Sequence, residues 1–340
     1  MVHLFTTNQH THRPNALAYK PASWGKRLWA SICITMLSAL VSLPANAQWK
    51  SYLAYSEPTE IERASGNMIY VLASEGLYSY DTSDQSLQTY DKINALSDCG
   101  IAHIAWCQKA KRLVIVYSNY NIDLLEANGN VVNMADYMNK TMTTDKTVND
   151  IYVDGAYAYL STGFGIVKIN VANGNISDTY QLGFKVNYSY IKDGYLYAAS
   201  MANGMYRAPL TANLLDPNQW TRSGNYKWRK KTMDEELLNI VKTLAPGGPK
   251  TNYCGFLKLY GNKLFSCNGT FDVKPGSIQV LENNTWTIYQ DDIEAITGRR
   301  YQDILAIDVD PKNSNHVMAA GRNGLYEFSN GRFVAYYNNE

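Results

Sequence analysis

The sequence predicts an all-β fold, a β-propeller of six to seven four-stranded blades that carries one short helical insertion. Two observations predict it. Among 340 residues there are 27 Tyr and 23 Gly, while charged residues make up only 18%. That balance suits strands and tight turns better than helical bundles. The second observation is a repeat. An apolar-aromatic strand, a short linker, a Gly or Asn and a second strand recur as MIYVLASEGLYSYD (68–81), RLVIVYSNYNIDLL (112–125), AYLSTGFGIVKIN (158–170), YLYAASMANGMYRA (195–208) and HVMAAGRNGLYEF (316–328). A diverged copy, KLFSCNGTFDVKPGSIQVL (263–281), has a longer linker. The punctuating residues Gly76, Asn121, Gly165, Gly204, Gly276 and Gly324 are 45, 44, 39, 72 and 48 positions apart. A period of roughly 40–48 residues with several strands per unit is a propeller signature. A β-sandwich shows strand spacing without such self-similarity.

The chain is expected to divide at residue 47. Residues 1–47 hold no Asp or Glu, and Lys26 and Arg27 precede the apolar run Leu28–Leu43. Ala45 and Ala47 then stand before Gln48 in an A-x-A pattern. This reads as a secretory signal peptide, and the run is short for a bilayer span. Cys33 follows Ile32, which does not suit a lipoprotein site. The exported domain is then 48–340, with 27 basic against 30 acidic residues. The near-balanced charge excludes a generic nucleic-acid binder.

Within 48–340, inner strands are expected at IAHIAWC (101–107), VNDIYVDG (148–155) and ILAIDVD (304–310), and outer strands at LQTYDK, NISDTYQL, NTWTIYQ and GRFVAYY. The segment QWKSYLAYS (48–56) has the look of an outer strand that closes the ring. Alternation within the strands fits blades that bury both faces. The glycine marks a linker where a Cβ would clash.

The 72-residue step contains an insertion at about 222–252. Asp234, Glu235 and Glu236 precede Leu237, Leu238, Val241 and Leu244, then Pro246-Gly247-Gly248. This predicts a short amphipathic helix with an acidic first turn and a Pro/Gly stop. Ahead of it, Arg222, Tyr226, Lys227, Trp228, Arg229, Lys230 and Lys231 form a basic-aromatic cluster. Such a cluster is either a solvated loop or a surface for an anionic ligand or a partner. Cys254 and Cys267 flank a hairpin and are a candidate disulfide, although a turn at Gly261-Asn262 does not set them directly opposite. Cys99 and Cys107 are a weaker pair.

No enzyme is expected. Only His103 and His316 remain after residue 47, both on or beside strands. No nucleophile elbow, metalloprotease, phosphate-loop or dinucleotide motif stands in its required context. DVDPKNSN (308–315) lacks the EF-hand spacing and reads as a turn. No cofactor or metal is expected.

The runs IYVLASEGLYSYD…LQTYDKINALSD, LVIVYSNYNIDLL and KTVNDIYVDGAYAYLSTGFGIVKIN, with YAASMANGMYRAPL and AAGRNGLYEFSNGRFVAYYNNE, resemble the N-terminal propeller of the PorZ family, a type IX secretion system component of Bacteroidetes. The resemblance implies a non-enzymatic protein of the periplasm or cell surface, associated with the outer membrane. Its implied partners are a sortase and other outer-membrane components of that system, together with anionic lipopolysaccharide that the sortase uses to anchor cargo. Members also carry a second propeller and a C-terminal β domain, and no binding residue transfers from the family. The alternative is a periplasmic carbohydrate-sensing propeller of a two-component regulator.

Overall fold

The computed structural model describes residues 50–289 and 291–338. The signal-peptide reading, Cys33 included, lies outside the described residues. Six four-stranded antiparallel sheets follow one another, each with its strands in chain order from inner to outer edge. These blades span 58–90, 101–133, 148–181, 188–224, 256–288 and 304–337. Among the described residues three short α-helices interrupt them: α1 (Asp136–Asn139), α2 (Glu235–Val241) and α3 (Ile293–Thr297).

The blades cohere through faces rather than edges. In the second strand of blade 2, Leu113 and Ile115 enter a core with Tyr70, Leu72 and Leu77 of blade 1. Their neighbours Val114 and Val116 turn the other way, into a core with Ala158 and Leu160 of blade 3. Tyr159 and Ile166 of blade 3 then meet Leu196, Ala198 and Ala208 of blade 4. The period-two alternation of a strand is thus used twice, once for each neighbouring blade. Blades 5 and 6 share a separate core of Phe265, Ile278, Val280, Ile307, Val317 and Phe328.

The free face of blade 1 is covered by the insertion. Leu237 and Val241 of α2, with Tyr55, pack on Ile69, Val71 and Tyr78. Helix α2 begins as the sequence predicts, with the Asp234 side chain accepting from the Leu237 N–H at 3.1 Å and Glu235 and Glu236 in the first turn. Both features favour the positive end of a helix.

Two expectations need correction. Residues 51–57 form no strand. The Ala54 N–H is taken by the Asn252 side chain at 2.8 Å, and the Tyr52 ring stands edge-on to Trp286 at 5.6 Å. With that amide held by a side chain and the ring against blade 5, the segment packs instead of pairing. Second, the outer strand of blade 4 is Thr221–Gly224, so Arg222 belongs to the blade and the excursion begins after it.

The punctuating glycines answer to a close approach. Gly165 (φ +155°) opens the third strand of blade 3, and a Cβ there would lie 2.0 Å from the Tyr180 carbonyl oxygen. Gly204 (φ +95°) does the same in blade 4, 2.6 Å from the Gly224 carbonyl. At both positions the end of the outer strand crosses too near for any side chain.

Candidate functional site

The first strand of a blade is a sheet edge with unpaired N–H groups that need partners. Blade 1 supplies them to blade 2. The Ile104 N–H donates to Glu60 Oε2 at 2.7 Å and the Trp106 N–H to Glu62 Oε2 at 3.1 Å. Glu60 and Glu62 reach them together because residues two apart on a strand share a side. His103 Nδ1 lies 2.8 Å from Glu60 Oε1. Asp150, on the first strand of blade 3, is also buried. Four titratable groups from three blades therefore meet at the inner strands.

The insertion closes over this cluster. Beyond Gly224 the chain runs as a strap with no strand or helix, and the Tyr188 hydroxyl donates to the Lys227 carbonyl at 2.5 Å. Arg229 lies over the Tyr188 ring, 4.4 Å from its centroid, and donates from Nη2 to Asp150 Oδ2 at 2.5 Å. Lys231 Nζ donates to Glu60 Oε1 at 2.6 Å and stands 3.8 Å from Asp150 Oδ1. In this way one strap ties blades 4, 3 and 1 together.

These contacts set the charge states. Burial alone raises Glu60, but its bonds with His103, Lys231 and the Ile104 N–H outweigh it and hold the carboxyl below its ordinary value. Burial dominates at Asp150, which is raised even with Arg229 and Lys231 beside it. Burial likewise lifts Glu62 to about 7, opposed chiefly by the Trp106 N–H. A carboxylate out of water titrates according to its partners.

The predicted basic-aromatic cluster is thus divided along the strap. Arg229 and Lys231 turn in to the carboxylates. Trp228 is 72% exposed, and Lys227 and Lys230 are exposed on the strap. Arg222 stands apart, bonded to the Asn203 carbonyl at 3.2 Å and to Asn225 Oδ1 at 2.8 Å. Sequence reasoning missed Glu60, Glu62 and Asp150. The available signal was acid at alternate positions of the first strand of blade 1, PTEIER, and within that of blade 3, VNDIYVD.

Cys254 is an exposed free thiol and Cys267 a buried one. Phe256 stands opposite Cys267 in the hairpin, which puts Cys254 beyond the paired residues. His316 lies within the second strand of blade 6, between Glu327 Oε1 at 2.8 Å and Asp310 Oδ2 at 3.5 Å. Among the described residues, no group of three or more His, Cys, Asp and Glu is arranged to hold a metal ion. A cleft of about 370 Å³ opens between blade 1, the end of the insertion and the outer strand of blade 5, lined by Tyr55, Tyr78, Val241, Leu244 and Trp286. No helix among the described residues is long and apolar enough to cross a membrane.

Comparison with known proteins places this architecture. Residues 69–221 match the model of the type IX secretion system PorZ N-terminal β-propeller domain. No curated protein matches. Among solved structures, PorZ of Porphyromonas gingivalis, described as an essential bacterial surface component of the type IX secretion system, superposes with a TM-score of 0.71 at 20% identity. The alignment covers 86% of this chain and 53% of that one, so the chain spans about half the length of that PorZ. The extracellular domain of the putative hybrid two-component system BT4673 of B. thetaiotaomicron gives a TM-score of 0.39 at 15% identity, over 83% of this chain and 34% of that one. The matched segment begins in the second strand of blade 1 and ends at the outer strand of blade 4. Over those four blades, the chain is similar to the PorZ N-terminal β-propeller domain family.

Proposed function

We propose that this chain is a non-enzymatic propeller module of the type IX secretion attachment complex, exported to the cell envelope, where it supports docking of a sortase and delivery of anionic lipopolysaccharide for anchoring of secreted cargo. The observation that carries the reading is the family match over blades 1 to 4. The state of the inner-strand acids supports the non-enzymatic part. Glu60 receives His103, Lys231 and a backbone N–H, and Asp150 receives Arg229, so these groups hold the fold together. A general acid or base needs a free path to a substrate proton. Trp228 and Lys230, exposed on the strap, are the residues of the predicted surface to test against an anionic glycan.

The test is a pull-down from outer-membrane extract with residues 48–340 as bait, probed for the sortase complex and for anionic lipopolysaccharide. Recovery of the sortase without glycolipid makes this domain the docking half of the module. Recovery of both supports the full reading, and Trp228→Ala with Lys230→Ala then removes the glycolipid if those residues hold it. Recovery of neither, with specific retention on a glycan array, replaces the proposal with carbohydrate sensing.

A further inference from the structure

We propose that a second copy of this chain docks through its blade 5 on the tyrosine face of blade 4, in a reciprocal pair in which each blade 4 receives the other copy's blade 5. The face that blade 4 turns away from blade 3 repeats, position for position, the face with which blade 3 holds blade 4. In blade 3, Tyr152 and Lys168 stand on either side of Tyr159 in register, and Lys168 lies over Tyr157 at 4.3 Å and Tyr159 at 5.9 Å. In blade 4, Tyr190 and Arg207 stand on either side of Tyr197 in the same way, and Arg207 lies over Tyr195 at 4.4 Å and Tyr197 at 6.0 Å. The blade 3 set packs against Ile191, Leu196 and Ala198 of blade 4. The blade 4 set has no such cover. Among the described residues, the core it enters holds only other residues of blade 4 and Tyr226 of the strap. Tyrosine and arginine are the residues in which protein interfaces are enriched.

The complement of that face lies on blade 5. Counted from the start of each second strand, Leu257, Leu259 and Leu264 of blade 5 take the positions of Ser189, Ile191 and Leu196 in blade 4, on the side that meets the blade 3 tyrosines. Ser189 and Leu196 are fully buried there, whereas Leu257 and Leu259 are 59% and 70% exposed. Among the described residues, none of the three leucines joins an apolar core. Their neighbours Lys258 and Tyr260 turn the other way, to Asp308 and the Pro311 carbonyl beside blade 6. Strand alternation therefore leaves the leucines facing away from blade 6. Within one chain the two faces do not meet, because blade 5 is held beside blade 1. Trp286 of its outer strand stands against Tyr52, whose hydroxyl donates to Asn284 Oδ1 at 3.2 Å. The chain thus carries both halves of a contact that it does not close internally. A twofold pair closes both halves in each copy and leaves no open end.

The test is sedimentation velocity of residues 48–340 from about 1 to about 100 μM, the range in which transient pairs of modest interface dissociate. The expected result is a monomer at the low end and a doubling of mass toward the high end. Leu259→Lys places a charge at an exposed position of the leucine face and leaves every core untouched. Tyr190→Lys does the same to the tyrosine face. Each is expected to raise the dissociation constant roughly tenfold, as loss of a central apolar contact does. An equal mixture of the two variants is expected to pair more tightly than either alone, because the first variant's blade 4 and the second's blade 5 are both unaltered. A chain that stays monomeric throughout overturns the proposal. So does a Leu259→Lys chain that pairs as tightly as the original. A Tyr190→Lys chain that does so, or a mixture that pairs no better than its parts, overturns it as well, since leucine face would then meet leucine face.

Discussion

Blades 1 to 4 and blades 5 and 6 share a strand order and differ in how they are buried. Three cores join the first four in series, whereas one core joins the last two. Exposure follows. In blade 5, Leu257 and Leu259 are 59% and 70% exposed, and in blade 6 Val334 and Tyr337 are 53% and 49% exposed. Tyr70 and Ile115, inside the first stack, are essentially inaccessible. A four-stranded sheet thus becomes a stable unit through the faces its neighbours cover, because burial of apolar area is the main driving force and a lone blade has two faces to hide. The family match also ends with blade 4. Spacing tells the same story: the glycine steps are 45, 44 and 39 within the first stack, then 72 across the insertion.

The largest expected contrast is between buried and exposed apolar residues. Tyr70 packs against Trp106 at 5.8 Å and Tyr90 at 6.2 Å. Tyr70→Ala is expected to lower stability by about 3–5 kcal/mol through cavity formation. Leu259→Ser is expected to change it by less than about 0.5 kcal/mol. Denaturant midpoints measure both, and equal shifts break the comparison. Next in size is Gly165→Ala, which drives a methyl into the Tyr180 carbonyl and is expected to cost about 2–4 kcal/mol. At Gly155 (φ +58°) nothing lies within 4 Å of a new Cβ, and alanine there is expected to cost only about 1 kcal/mol for the left-handed backbone.

A further substitution, at Asp303, acts on the smaller stack alone. The carboxylate of Asp303 is fully buried, and accepts from the N–H groups of Lys274 at 2.8 Å and Val273 at 3.1 Å and from Arg322 Nε at 2.6 Å. Burial pushes its pKa up, but these three donors more than offset it and the group stays below its ordinary value. Asp303→Ala leaves the donors without their acceptor, and about 2–3 kcal/mol is expected to be lost. Hydrogen exchange is expected to quicken across 256–337 and to stay unchanged across 101–181; a change spread over both regions would show that the two stacks unfold as one.

The smallest effect is electrostatic. His316 is raised, first by its bond to Glu327 and further by Asp310. A raised histidine contributes stability that is complete below its unfolded pKa and is lost as pH rises through the folded value. Protection from exchange at the second and third strands of blade 6, taken relative to the intrinsic amide rate at each pH, is therefore expected to fall slightly as pH rises through and above about 6.5, the unperturbed histidine value. His316→Gln is expected to abolish that dependence.

Much of this architecture is local and was legible. Strands such as RLVIVY and GIVKIN read from their own alternation, and α2 from Asp234 and its Leu/Val spacing, since those signals lie within a few residues of one another. The candidate site was legible only as composition. The run from Lys227 to Lys231 reads as one basic patch, yet Arg229 and Lys231 pair with buried acids while Trp228 and Lys230 stay exposed. The acids that receive Arg229 and Lys231 lie 79 and 171 residues away in sequence, a separation that no local pattern records. Segment 48–56 misled for a related reason: it has strand-like residues, and whether they pair depends on which edge is free, which Asn252 and Trp286 decided.

By itself, then, the sequence determined the blade, its period, its strand alternation and the helix in the insertion, because each follows from steric and hydrophobic preferences of neighbouring residues. Only the tertiary structure decided which faces are shared, that the blades fall into a stack of four and a stack of two, and that the strap's cations lie on the acids of blades 1 and 3. Those outcomes rest on burial and charge pairing between segments far apart in the chain, whose free energy exists only once the blades have come together.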